Sequence, residues 1–185
     1  MSASIPATSL QLRSLIKSSG ELEISLASIT TPEPGPEEVL VRIEASPMNP
    51  SDLGLLFGAA DLSTAKASGT PDRPVITAAV PEKLMKGMGG RLDQSMPVGN
   101  EAAGVVVKAG SSEAAQALLG KTVAILGGAM YAQYRCIKAV QCLVLPESLD
   151  PVEVSGLVLT QVGYNGGMRP PVQEGWTAVV IGDGL

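Results

Sequence analysis

Histidine is missing from the sequence altogether, and cysteine occurs only twice, as Cys136 and Cys142. Without histidine there can be no Ser-His or Cys-His nucleophilic pair and no imidazole-ligated metal. The cysteine spacing matches no paired C-x-x-C zinc site, so no metal site is expected. Both cysteines stand in apolar, strand-like sequence and read as reduced core thiols. Aromatic residues make up only 3% of the chain, so its core must be built from Val, Leu, Ile and Ala, with Met filling gaps. Basic blocks are also lacking, and the net charge is −5, which together exclude nucleic acid as a partner. No run approaches about 18 uninterrupted apolar residues, so no transmembrane helix is expected. The opening MSASIPATSLQLRS has no basic stretch followed by an apolar one and predicts no signal peptide, leaving the cytoplasm as the default location. What is abundant is apolar sequence. At 45% hydrophobic residues over 185 positions, the chain can bury a real core in one or two domains.

The chain is organised around Pro97 to Gly110, PVGNEAAGVVVKAG, in which glycines 99, 104 and 110 punctuate an apolar run. Val105 to Val107 fits a buried strand and is too short for a helix. Glu101 is the odd residue there. It is either a solvated turn acid or a carboxylate that needs a partner in order to be buried.

On the N-terminal side, Leu10 to Ile16 and Leu22 to Ser28 alternate apolar and polar residues around Ser18-Ser19-Gly20, which predicts a hairpin. Pro32, Pro34 and Pro36 make a stiff turn that cannot lie within a sheet. Glu38 to Ala45 alternates cleanly, with Val39, Val41 and Ile43 on one face. Next, Pro50 can open a short helix, with Asn49 as its cap and Asp52 in its first turn. Residues 57 to 96 predict a long surface excursion with one short strand at Val75 to Val80 and a small basic cluster between Lys83 and Arg91.

On the C-terminal side, Ser111 to Glu113 opens a short helix stopped by Gly120. Strands follow at Thr122 to Leu126, Tyr131 to Ile137 and Cys142 to Leu145, with a turn at Gly127-Gly128. Asp150-Pro151-x-Glu153 begins a helix that runs to about Asn165. Thr177 to Ile181 is a buried, parallel-type strand leading into Gly182-Asp183-Gly184-Leu185.

Several of these stretches, in this order, resemble the medium-chain dehydrogenase/reductase superfamily. They are the P-x-x-G-x-E-x-x-G-x-V element at 97–107, G-K-T-V-A, Y-A-Q-Y, L-P-E-S-L-D, and L-T-x-x-G-Y at 159–164. Asn49-Pro50-x-Asp52 is similar to the pattern of its zinc-free quinone-oxidoreductase branch. The resemblance covers about residues 10 to 185 and is weakest over 57–96. It implies a mainly β fold with a few helices (α+β). Residues 1–150 would form a GroES-like, partly open β-barrel, and 151–170 a linking helix. Residues 171–185 would be the first strand and opening glycine turn of a Rossmann domain that the sequence does not complete.

The resemblance also implies chemistry. Members of this branch transfer hydride from a nicotinamide to a quinone or conjugated carbonyl. Asn49 and Asp52 would face the nicotinamide, with Glu101 organising the backbone behind them. Gly182, Gly184 and Thr160 would contact NADP or NAD. The zinc-binding Cys and His of other members are matched here by Asn49 and Asn100, whose amide oxygens are poor zinc ligands. With only the start of the G-x-G-x-x-G turn present, the 185 residues by themselves are expected to be inactive. The competing reading is a non-catalytic β-rich module that acts through its surface or as a homodimer.

Overall fold

The structure is a computed structural model that describes residues 4–146. The predicted helix from Asp150, the strand at Thr177 to Ile181, and Thr160, Gly182 and Gly184 lie outside the described residues.

Among the described residues, ten strands form two five-stranded antiparallel sheets, accompanied by three short α-helices. The predicted hairpin is β1 (Thr8–Lys17) and β2 (Glu21–Thr30), in register from Thr8↔Thr30 to Lys17↔Glu21. Gly20 turns it at a positive φ of 83°. Strand β3 is Glu38–Ala45, and helix α1 is Pro50–Phe57. The remaining strands are β4 (Asp61–Thr70), β5 (Arg73–Ala79), β6 (Met96–Pro97), β7 (Glu101–Ala109), β8 (Thr122–Leu126), β9 (Tyr134–Lys138) and β10 (Cys142–Val144). Helix α2 is Glu82–Met85, and α3 is Glu113–Gln116, capped by the Ser112 side chain.

One sheet runs β4-β5-β2-β1-β6 and the other β10-β8-β7-β3-β9. A seam joins them. Leu12 N–H donates to Tyr131 O (2.8 Å), Gln133 N–H donates to Leu10 O (2.9 Å), and Gln11 bridges to Ala132. Residues 131–133 serve that seam, so the strand expected from Tyr131 begins at Tyr134. The result is the expected partly open barrel, mainly β with a few helices.

Alternation built this core as it predicted. Val39, Val41, Val106, Val123, Ile125 and Met130 form one cluster, with Ile43 packed against it. A second cluster, Ile16, Leu22, Ile24, Leu56 and Val98, seats α1 on the first sheet.

The largest correction falls on residues 57–96. In place of a loop with a single strand, the chain makes the β4–β5 hairpin, α2 and a 3₁₀ turn over Lys86–Arg91. Only the strand near Val75 was readable, because β5 pairs with β2. All ten residues of β4 are exposed, so no apolar alternation marks it. Helix α3 is also shorter than expected. The chain leaves it at Ala117 and turns at Gly120, whose φ is +77°.

Candidate functional site

The site grows from the junction of β3, α1 and β7. Pro50 starts α1 with its φ already fixed, at a position where no N–H is needed. Asn49 is the N-cap residue, in extended conformation, and its backbone N–H donates to Asp52 Oδ2 (2.8 Å). That is the reciprocal half of a capping box, and it turns the Asp52 carboxylate inward, where it is 1% exposed. Asn49 thereby has its backbone fixed and its amide aimed across the junction. Its Nδ2 donates to Glu101 Oε1 at 2.8 Å.

Glu101 is the first residue of β7 and is fully buried. The solvated-turn reading of this acid is therefore wrong, and a partner for its burial is Asn49. The hydrogen bond satisfies one oxygen of the buried carboxyl group. It ties α1 to β7 across 52 positions of sequence. The fold thus brings Asn49 and Asp52, expected to face the nicotinamide, and Glu101, expected behind them, to one junction.

Two neighbours, Asn100 and Tyr131, were given no role at the site by the sequence. Asn100 Nδ2 donates to Ser51 Oγ (3.2 Å), a second tie from the strand entry to α1. Tyr131 donates its hydroxyl to Pro47 O (3.0 Å). Its pKa is held well above the ordinary phenol value, first by burial, then by the charge of Asp52 and hydrogen bonding toward it, then by Glu101. Tyr131 reaches this place because Gly99, at a φ of +97°, lets the backbone pass beside it. A Cβ on Gly99 would sit 2.6 Å from Tyr131 N. The clue in the sequence was a glycine two positions before the acid.

Asn49 and Asn100, which the resemblance set at the positions of zinc ligands, do not suit the metal. Asn49 and Asn100 offer amides already engaged with Glu101 and Ser51, and Zn²⁺ favours thiolate and imidazole. Cys136 and Cys142 are free, lie on β9 and β10, and have thiol pKa values pushed up to about 11 by burial. They were expected to be core thiols, and both are only partly buried. Among the described residues no helix is long and apolar enough to cross a membrane.

No family model and no curated protein sequence matches the chain. Solved structures do match. The Pseudomonas syringae pv. Tomato DC3000 quinone oxidoreductase superposes with a TM-score of 0.57 at 16% identity, over 88% of this chain and 41% of that one. The CurK enoyl reductase gives 0.60 at 15% identity, over 89% and 43%. Human synaptic vesicle membrane protein VAT-1 homolog-like protein gives 0.59 at 15% identity, over 88% and 43%. The chain shares its fold with the corresponding part of these structures. The chain spans less than half the length of each of these structures.

Proposed function

We propose that the chain carries the substrate-side domain of an NAD(P)H-dependent, zinc-free oxidoreductase that delivers hydride to a quinone or conjugated carbonyl. The observation that supports this most is the Asn49–Glu101 pair. Glu101 is 0% and Asp52 1% exposed, while Asn49 is 9% exposed. Asn49 is thus the member of the network that can reach a ligand. Glu101 engages one of its amide hydrogens, which leaves an oriented amide edge to bind a carbonyl oxygen or a carboxamide. Met48 beside it is 61% exposed, an apolar neighbour for a ring. The nicotinamide would supply the hydride. Asn49 would hold the acceptor, Glu101 would hold Asn49, and Asp52 would hold the Asn49 backbone.

The test is NADPH oxidation with 9,10-phenanthrenequinone, beside a nicotinamide fluorescence titration, by residues 1–185 alone, for which no turnover is expected, and by the same residues joined to a complete nucleotide-binding domain, for which turnover is expected. Asn49→Ala should lower kcat/KM by about 10- to 100-fold with the fold intact, the loss expected for a positioned hydrogen-bond donor. Saturable turnover that ignores this substitution would refute the role given to Asn49. No turnover and no nicotinamide binding by the joined protein would refute the reading as a whole. The surface-module reading is favoured by one observation, the fully exposed β4. It predicts a stable dimer in size-exclusion chromatography that Asp substitutions in β4 dissociate.

A further inference from the structure

Helix α1 has no basic residue in its last turn, so nothing in its own sequence offsets the negative end of the helix. Of its final carbonyls, Gly54 O accepts from Gly58 N–H (3.0 Å) and Phe57 O from Ala60 N–H (3.1 Å), which leaves those of Leu55 and Leu56 in need of other partners. Leu55 O finds its partner in a residue 36 positions away. Arg91 Nη1 donates to Gly54 O (2.9 Å), and Arg91 Nη2 donates to Leu55 O (2.5 Å). Ser14 Oγ donates to Leu56 O (2.7 Å) and itself accepts from Arg91 Nη2 (3.2 Å). Three successive carbonyls are thereby held by one guanidinium and one hydroxyl.

Among the described residues Arg91 makes no ion pair with an acid. Burial lowers its pKa, and the carbonyl dipoles are what hold its charge in place. Its own position is fixed on β1. Leu92 bridges to Ile16, Asp93 N–H donates to Ile16 O (2.8 Å), and Asp93 Oδ1 accepts from Ser18 N–H (2.9 Å). Gly58 makes the close approach possible, since a Cβ there would lie 2.8 Å from Ile16 Cδ1 and 3.3 Å from Arg91 Nη1.

We infer that Arg91 is a positioning residue for the Asn49 site. Its guanidinium fixes the C-terminal end of α1 on β1 and thereby sets where the other end of the helix meets Glu101. An eight-residue helix is a rigid rod about 12 Å long, so a tilt at one end moves the other. Apart from Asp52, only Leu56 of α1 is fully buried; Leu55 and Phe57 pack half-buried against the same cluster, an apolar seat to which the Arg91 hydrogen bonds add direction. The excursion over 57–96 thus delivers the C-terminal clamp of the helix whose cap is Asn49. The functional meaning of this clamp rests on the reading of Asn49 as ligand-facing, but the geometry can be tested without any ligand.

The experiment compares Arg91→Met, Arg91→Lys and a distant core control, Val123→Ala, by ¹⁵N-¹H NMR. The readouts are the Asn49 side-chain amide resonances and hydrogen exchange of the Asn49 backbone N–H, taken as a ratio to that of an amide in β8. Arg91→Met should shift the Asn49 resonances and raise the ratio about tenfold or more, as a local opening without global unfolding does. Arg91→Lys keeps the charge but serves one carbonyl at a time, so it should give an intermediate change in the same direction. Val123→Ala should lower overall stability and leave the ratio unchanged. Unshifted Asn49 resonances in either folded Arg91 variant overturn the proposal. A Lys variant that does not fold also overturns it, because Arg91 would then support the whole domain and not the seat of α1. A failed NADPH assay with a positive NMR result would remove the proposed function and keep the clamp.

Discussion

Strands β7 and β4 are nearly equal in length, nine and ten residues, yet their surroundings are opposite. The first four residues of β7 are buried and the strand sits between β3 and β8, whereas all ten residues of β4 are exposed at the edge of its sheet. In β7 the side chains decide the structure, because each has a neighbour against which it fits or fails. In β4 the backbone pairing with β5 decides it, together with Thr64, whose Oγ1 accepts from Ala79 N–H (2.8 Å) where the register slips between Asp61 and Lys66. The candidate site lies at the end of β7, where buried strand meets helix start, so its geometry inherits the rigidity of the packed sheet.

The sharpest way to break this contrast is a carboxylate in each strand. Val106 is 1% exposed, and Val106→Asp would bury an unpaired charge at a cost of several kcal/mol, comparable with the roughly 5–15 kcal/mol total stability of a domain. Ala67→Asp in β4 should change stability by less than about 0.5 kcal/mol. Urea melts of the two variants decide it. A Val106→Asp protein that melts close to the parent would mean that β7 is not the packed centre of its sheet.

A second pair of substitutions tests the site itself. Glu101→Ala removes the acceptor of Asn49 Nδ2 and leaves a buried donor unpaired, a loss of about 1–3 kcal/mol. Glu101→Gln keeps an acceptor oxygen without the charge and should lose clearly less. Equal losses from the two would show that neither the volume of the side chain nor an acceptor oxygen as such matters, and that only the carboxyl group itself serves at this position.

Burial also governs how much could be read from the sequence. Glu38 to Ala45 was readable to the residue because Val39, Val41 and Ile43 line one face, although Leu40 on the other face is buried as well, and Thr122 to Leu126 because it is apolar after Thr122. β4 carries no such signal: DLSTAKASGT could be a loop on composition alone. The three central residues of the candidate site stood out through the Asn-Pro-x-Asp and G-x-E patterns. That Asn49 and Glu101 meet did not, since nothing local records a contact across 52 positions. Arg91 was equally opaque. It read as a member of a surface basic cluster, while its guanidinium turns inward onto the carbonyls of α1.

Glycines give a smaller test of the same contrast. A Cβ on Gly104, within β7, would land on the Arg42 carbonyl oxygen of β3, whereas Gly89 in the 3₁₀ turn has nothing within 4 Å. Gly104→Ala should therefore cost about 1–3 kcal/mol, as overpacking does. Gly89→Ala should be neutral or stabilise by about 0.4–1 kcal/mol through a less flexible unfolded chain. Thermal melts should show a clear loss for the first variant and none for the second. A tolerated Gly104→Ala would mean that β3 and β7 can separate to admit a methyl group.

The smallest effect expected is a pH dependence confined to the second sheet. Cys136 on β9 and Cys142 on β10 both have pKa values pushed up to about 11, in each case chiefly by burial, with the charge of Glu38 adding to it at Cys136. In the unfolded chain these thiols titrate near about 8.5. Between that value and 11 the folded protein keeps protons that the unfolded chain has released, so stability must fall as pH rises through this window. Below about pH 8 both states hold the protons and the thiols contribute no slope. Lysines titrate in the same range, which makes the absolute slope uninformative. The difference between the parent and a Cys136→Ala/Cys142→Ala variant isolates the thiols. Urea midpoints measured at about pH 7, 9 and 10 should fall more steeply for the parent than for the double variant above about pH 8.5 and run parallel below it. Parallel lines throughout would mean that the two thiols meet water in the folded protein, and that the edges of the second sheet are as open as β4.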